Sequence, residues 1–424
     1  MQRIVVTGTG AICGAGKTLA EILAAVCAGR SAIAPIGQWD ASRWPVRVAA
    51  EVADFNPGAL LNDRKLFKLI RRTDVFGIYA AGQAIEAAGL ATHRDALDAQ
   101  ARARFNDATG VYVGSGGGAY QHQYDFLPLL AAADGSLPTF GRELGATVSP
   151  MWLLRSLPNN VLCHVGIRHD LKGPNACITN HSISGSLAII EAAQALRTGE
   201  CERAVAVGHD ASIEPQMVLY YHGVGLLTED ALRPFDAGRS GSAMGEGAAA
   251  LVIETEHAAA QRGAPVLGEI LGSGCASEGE GLLPIRDDGD GLARAIAMAL
   301  EDSGLRASDV GMIVAHGNGT RQGDVSEARA LRGIFGTAPP PVTAFKWAFG
   351  HLLAASGIIE TVLALAALRG RTVPGIAALQ RLDPACAGLP MSASAQTPRS
   401  DVALVLSRGF GGTNAALAVR AAAG

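Results

Sequence analysis

Three segments of this 424-residue chain place nucleophilic and proton-handling side chains where backbone geometry can use them. In LKGPNACITNHSISGSLAIIEAAQALRTGE, a Gly173-Pro174 turn leads into a short extended segment. A helical pattern starts at Ser182, with Ile183, Leu187 and Ile190 on one face and Gly199 as the C-terminal stop. A serine at a helix start lies beside unpaired N–H groups and the positive end of the helix dipole, which stabilise a developing oxyanion. The same placement also suits a simple serine cap. In IVAHGNGTRQGDVSEARAL, an apolar strand runs into His316, and a glycine-rich turn carrying Asp324 and Glu327 follows. The GNG turn lacks the GxxxxGK[ST] order, and with no helix expected directly after it, nucleotide binding is not indicated. In TAFKWAFGHLLAASGIIETV, Lys346 and His351 flank a turn at Gly350, ahead of an Ala-rich helix. A buried lysine requires a carboxylate, and Asp324 or Glu327 is the expected partner. A fourth segment, LSRGFGGTNAAL, ends a strand in a glycine-rich turn around Gly409 and Phe410, which suits close backbone approach to a ligand.

The elements that must hold these residues read as α/β. Apolar runs such as RIVVTG, TGVYVGS, RAVAVGHD, AALVIE, GMIVAHG and VALVLS alternate with helical stretches at 76–90, 184–198, 290–304 and 352–369. The segment 254–265 reads as the join between two halves of similar content, 1–255 and 256–424. Residues 120–150 and 278–289 read as irregular insertions of the kind that often face a substrate.

Composition narrows the function. The chain is 49% hydrophobic and 17% charged, so it can bury a large core. With 35 basic and 39 acidic side chains the net charge is -4, which provides no global field for nucleic acid. The 7 cysteines are scattered without a CxxC pair, which fits a reducing cytoplasm and neither a disulfide framework nor a zinc ribbon. LLAASGIIETVLALAAL contains Glu360 and falls short of the ~20 apolar residues that span a bilayer, so no membrane span is expected.

Taken in order, these segments resemble the elongating β-ketoacyl-acyl-carrier-protein synthases, synthase II-like members of the thiolase superfamily. The likeness runs from RIVVTGTGAI and AGRSAIAPIGQWDAS through ALRPFDAGRSGSAMGEGAAALVIE to GFGGTNAAL. It implies a five-layered αβαβα thiolase fold, substrates carried on the phosphopantetheine of acyl-carrier protein, no separate cofactor or metal, and a homodimer or a heterodimer with a second ketosynthase-like chain. It also implies roles for His316, Lys346 and His351 as the family's two histidines and lysine. Phe410 would be the gating aromatic, its N–H and that of Ser182 forming the oxyanion hole beside Gly409.

The sequence departs from the family at the nucleophile. Counted from Gly173-Pro174, the family's cysteine falls on Ser182, within Asn180-His181-Ser182-Ile183, while Cys177 is expected in the preceding strand. Asn318, Ser242 and Arg408 also depart from the usual residues, and Ser242 with Ala243 would widen the acyl pocket. Serine needs a neighbouring base, for which His316 or His351 is expected. An oxygen ester is a weaker acyl donor than a thioester, which shifts weight toward acyl transfer or hydrolysis. Three readings follow: an acyltransferase of fatty acid or polyketide biosynthesis using Ser182; a non-catalytic or chain-length-setting subunit of a heterodimeric ketosynthase; and a condensing enzyme whose cysteine was replaced by serine. Arg64, Lys65, Lys68, Arg71 and Arg72 are expected along one helix as the docking stripe for acidic carrier protein.

Overall fold

The computed structural model describes residues 2–117, 123–149 and 151–422. Ten strands form one sheet in the order β10-β9-β11-β12-β8-β1-β7-β6-β4-β5. The first half supplies β1 (Ile4–Cys13), β4 (Thr109–Ser115), β5 (Asn175–Ile178), β6 (Arg203–Ala211) and β7 (Glu246–Thr255). The second supplies β8 (Gly268–Ser277), β9 (Met312–Val314), β10 (Val342–Thr343), β11 (Val402–Gly409) and β12 (Thr413–Ala421). A separate hairpin pairs β2 (Ile33–Pro35) with β3 (Val48–Ala50).

Within each half the third strand lies at the outside, followed by the second, fourth, fifth and first. The halves join where their first strands meet, Ile4–Val6 of β1 running antiparallel to Gly268–Ile270 of β8. This shared order is an internal repeat of topology that the amino-acid identities do not display.

Helices complete the stack. α1 (Arg72–Ala87) packs on β1, β6 and β7. α2 (Ser184–Thr198) lies against β4 and β6. α3 (Pro215–Gly223) flanks the cleft. α4 (Asp290–Ser303) covers β8 and β12, with α5 (Arg321–Phe335) beside it. α6 (Ser356–Arg369) touches α2 and strands of both halves. The result is the five-layered αβαβα thiolase arrangement. Its middle layer explains the unpatterned apolarity of α6: a helix enclosed by sheet on both sides has no polar face, and even Glu360 and Thr361 are buried.

Close backbone contact brings the helix of the first half onto its sheet. A Cβ at Gly114 in β4 would lie 2.3 Å from the Ser184 carbonyl carbon, so glycine is what lets α2 start against the strand. The six strand runs read from the sequence appear as β1, β4, β6, β7, β9 and β11, and the four helical stretches as α1, α2, α4 and α6. Two expectations fail. Much of 120–150 is helical, with helices at Gln123–Ala132 and Leu137–Thr147, while 118–122 and 150 lie outside the described residues. The GNG turn does open directly into a helix, α5, capped by Thr320, whose hydroxyl accepts from Gly323 N–H. The 278–289 stretch is irregular as expected.

Among the described residues no helix is long and apolar enough to cross a membrane.

Candidate active site

Ser182 occupies a single 3₁₀ turn, His181–Ile183, that leads from β5 into α2. It is buried at 2% exposure. The turn reverses the chain sharply, with His181 at φ 48°, the left-handed region that costs a side-chain-bearing residue energy. Ser184, not Ser182, ties the turn together: its hydroxyl donates to His181 O at 2.7 Å and accepts from Asn180 N–H at 2.8 Å. Ser182 is therefore free of the capping duty that the sequence also allowed. Its own Oγ lies 2.9 Å from His181 Nδ1. His181 Nε2 is 2.5 Å from the Tyr221 hydroxyl on α3. Phe410 packs over the same ring, the centroids 4.4 Å apart.

Gly409 ends β11 directly beside the turn; a Cβ there would sit 3.5 Å from Ser182 N.

The two other histidines arrive from the second half and share one cavity of about 410 Å³ with Ser182, Phe410 and Arg408. Their rings stand edge to face, 5.2 Å between centroids. His316 follows β9 and Ala315, and its N–H donates to Glu327 Oε1 at 2.7 Å. His351 is pinned in place of a strand partner: its N–H donates to Ala243 O, and its carbonyl accepts from Gly245 N–H. Both rings are held as the Nε2–H tautomer. Arg408 N–H donates to His316 Nδ1 at 3.3 Å, and Leu353 N–H donates to His351 Nδ1 at 3.1 Å. Burial, and then the Lys346 charge, hold both imidazoles well below their usual pKa, so they are neutral. Each presents an N–H donor rather than a proton acceptor. That corrects the expectation that His316 or His351 is the base for Ser182.

Lys346 is fully buried. Its Nζ donates to His316 O and to Glu360 Oε1, both at 2.7 Å. The carboxylate partner is thus Glu360 of α6, not Asp324 or Glu327. Those two lie in α5, not in the preceding turn, and each serves the backbone around His316. Glu327 accepts from His316 and Gly317 N–H, while Asp324 accepts from Gly319 and Phe235 N–H and pairs with Arg239 at 3.2 Å. Burial pushes the Asp324 and Glu360 carboxyls up to about 7 and raises Glu327, against the pull of Arg239 on the first and Lys346 on the second.

Arg408, one of the departures from the family's usual residues, is buried. Its guanidinium is absorbed by Glu278 and Asn414, each at 2.9 Å, and by Gly323 O and Ser326 Oγ at 3.2 Å. This bundle ties β11 to the 278–289 loop and α5. The same loop contributes Leu282, Leu283, Pro284 and Ile285 to the cavity wall. Ser242 and Asn318 also line it; Ser242 Oγ has no partner among the described residues, and Asn318 Oδ1 accepts from Thr320.

Cys177 lies in β5, as expected, with its thiol against Pro158 O and pushed by burial up to about 11. The 7 cysteines are all free.

The basic stripe is only half present. Arg64, Lys65 and Lys68 are exposed, but no single helix carries the five residues: Leu66–Lys68 is a short 3₁₀ turn and α1 begins at Arg72. Arg71 is buried beside Asp74, and Arg72 forks onto Glu246 while lying 4.1 Å over the Phe55 ring. These two arginines hold the fold together.

A buried serine at a helix start, two neutral histidine donors and a lysine-braced loop thus meet at one cavity of a thiolase fold. The chain matches the β-ketoacyl synthase N-terminal domain over residues 1–259 and the C-terminal domain over 267–380, and it belongs to the β-ketoacyl synthase family. It is 32% identical to the 3-oxoacyl-[acyl-carrier-protein] synthase 2 of Coxiella burnetii, covering 98% of each chain. It is 34% identical to the enzyme of the same name from Synechocystis sp., covering 99% of this chain and 98% of that one. Among solved structures, the ishigamide ketosynthase/chain length factor superposes with a TM-score of 0.88 at 27% identity, covering 99% of both chains.

Neither His181 nor Glu360 was assigned a role from the sequence. Glu360 had a signal, an acid inside an apolar run, which must find a buried cation. His181 had only its place next to Ser182; Tyr221, its second partner, comes from a helix with no pattern linking it to the site.

Proposed function

We propose that this chain is a ketosynthase-like acyltransferase of fatty acid or polyketide biosynthesis, which takes an acyl group from acyl-carrier protein onto Ser182 and passes it to malonyl-carrier protein or another acceptor. The observation that supports this reading above others is that Ser182, His316 and His351 line one cavity with Lys346 braced behind them. Ser182 Oγ attacks the thioester, and the N–H groups of Ser182 and Phe410 receive the oxyanion. The His316 and His351 Nε2–H donors then stabilise the enolate that forms when a malonyl group loses carbon dioxide. Lys346 holds the His316 carbonyl and stays out of the chemistry.

The test is intact-protein mass spectrometry after mixing the chain with carrier protein loaded with acyl groups of several lengths. An acyl adduct mapped to Ser182 supports the reading, and its decay with water, malonyl-carrier protein, an alcohol or an amine identifies the acceptor. Intact binding of carrier protein with no adduct would favour the second reading, a chain-length-setting subunit of a heterodimer. Likeness to the ishigamide ketosynthase/chain length factor is the observation behind that alternative.

Two further outcomes are expected. Phe410→Ala opens the wall beside His181 and Tyr221, so the preferred acyl length should change; unchanged selectivity in competition assays would count against a gating role. Lys65→Glu with Lys68→Glu reverses two exposed charges and should weaken carrier-protein binding about tenfold at low salt, with a flatter salt dependence, as calorimetry would show.

A further inference from the structure

Resting on the assignment of Ser182 as the acyl acceptor, we propose that His181 is the general base of this site, taking the Ser182 hydroxyl proton on Nδ1 while Tyr221 fixes the ring through Nε2. The geometry leaves one choice of base among the histidines of the cavity. His316 and His351 have Nδ1 occupied by backbone N–H donors, so their exposed nitrogens carry hydrogen. Among the described residues the His181 ring nitrogens meet only hydroxyls, Ser182 Oγ at 2.9 Å from Nδ1 and Tyr221 Oη at 2.5 Å from Nε2. With Nε2–H donating to Tyr221, Nδ1 is a lone-pair acceptor aimed at the serine.

The ring is held rigidly. The left-handed backbone at His181 aims it back over its own neighbour, and it is covered by Phe410 at 4.4 Å and by Tyr221. It lines both the 410 Å³ cavity and a second one of about 300 Å³, together with Tyr221 and Phe410. A serine, its base and a third group orienting the base reproduce the logic of a hydrolase triad, with Tyr221 in the orienting role.

The proton balance closes. As the Oγ–C bond forms, the hydroxyl proton moves to Nδ1 and the carbonyl electron pair moves to oxygen. Collapse breaks the C–S bond, and the imidazolium returns its proton to the departing phosphopantetheine sulfur. In the second half, water or an alcohol gives its proton to Nδ1 as its oxygen attacks the ester, the C–Oγ bond breaks, and Nδ1–H protonates Ser182. When the attacker is the carbanion left by decarboxylation, no proton need be removed. The C–Oγ bond then breaks as the new carbon–carbon bond forms, and the one proton that decarboxylative condensation consumes reaches Oγ from solvent water. Serine oxygen is a poorer leaving group than cysteine sulfur, and a neighbouring acid–base group offsets that difference.

The test uses the full chain and an octanoyl-pantetheine thioester, with acylation of Ser182 followed by intact mass over time. His181→Gly is the informative variant, because glycine adopts the positive φ without strain and leaves space for added imidazole. Acylation should slow by about 10²-fold or more, and millimolar imidazole should restore at least about tenfold. Tyr221→Phe should slow it about tenfold, by releasing the ring. A His181→Gly rate within about threefold of wild type would overturn the assignment. So would a slow rate that imidazole leaves unchanged, which is the result of a purely structural role. A wild-type protein that takes no acyl group at Ser182 removes the nucleophile reading itself, and this is seen before any His181 variant is measured.

Discussion

Ser182→Ala is expected to reduce acyl-adduct formation from acyl-carrier protein by about 10³-fold or more, to the level of unspecific labelling. Cys177 is no substitute: it is in β5, half-buried, with a thiol pushed up to about 11, so almost none of it is thiolate at neutral pH. The near-isosteric Ser182→Cys variant should keep the adduct and change its fate. A thioester is the better acceptor of a carbanion, so the ratio of ketone formed from malonyl-carrier protein to simple hydrolysis should rise, by about 10²-fold. The pH profile of the wild type separates the two nucleophiles further. His181 must be neutral to accept a proton, and burial takes its pKa down to about 4. Tyr221 from α3 and the neutral His316 and His351 share its surroundings, Arg71, Asp210 and Glu214 line the 300 Å³ cavity with it, and burial outweighs them all. Serine acylation should therefore stay level from pH 8 to about 5.5 and fall only on further acidification, instead of falling through the ordinary histidine range near 6.5. Rapid-quench mass spectrometry across that interval measures it.

Glu360→Leu is expected to be the most destabilising single change at the site, costing about 3–5 kcal/mol in denaturant unfolding. Lys346 and Glu360 are both fully buried, and the 2.7 Å contact is the ammonium's one carboxylate among the described residues. Removing it leaves a charge in the middle layer of the fold with, among the described residues, only the His316 carbonyl as hydrogen-bond partner. The double variant Lys346→Met with Glu360→Leu removes both charges and should recover most of the lost stability, because a buried ion pair contributes little over an apolar pair of similar size. It should not recover decarboxylation, since the His316 carbonyl then loses its anchor and the Nε2–H donor its aim. Stability and malonyl decarboxylation measured on the same three proteins would show the two effects separating. If the double variant proved as unstable as Glu360→Leu alone, the pair would be holding more than its own charges.

Much of the fold was legible because its strands are buried on both faces and read as continuous apolar runs, punctuated by glycine at turns. β1, β4, β6, β7, β9 and β11 could be placed that way, and so could the central helices. The site residues Ser182, His316, Lys346, His351 and Phe410 could be singled out by type and by position at the ends of those runs. What stayed hidden depends on distance across the chain. A sequence can say that buried Lys346 needs an anion, but three acids were within reach of the argument. Packing alone put Glu360 of α6 beside it and turned Asp324 and Glu327 toward backbone N–H groups. Likewise a run of five basic residues looks like one surface until Arg71 and Arg72 are seen folded inward onto Asp74 and Glu246.

The roles of the three histidines show the division most plainly. Their presence is a property of the chain, but a proton donor and a proton acceptor have the same letter. Which one each is depends on whether a backbone N–H reaches Nδ1, as at His316 and at His351, where the Ser356 hydroxyl lies at 3.1 Å as well, or a serine hydroxyl reaches it without one, as at His181. Local sequence determined the elements and the reactive side chains, because periodicity and turn chemistry act over a few residues. Tertiary structure decided the tautomers, the ion pair and the choice of base, because hydrogen bonds and desolvation are set by whichever atoms packing brings within about 3 Å.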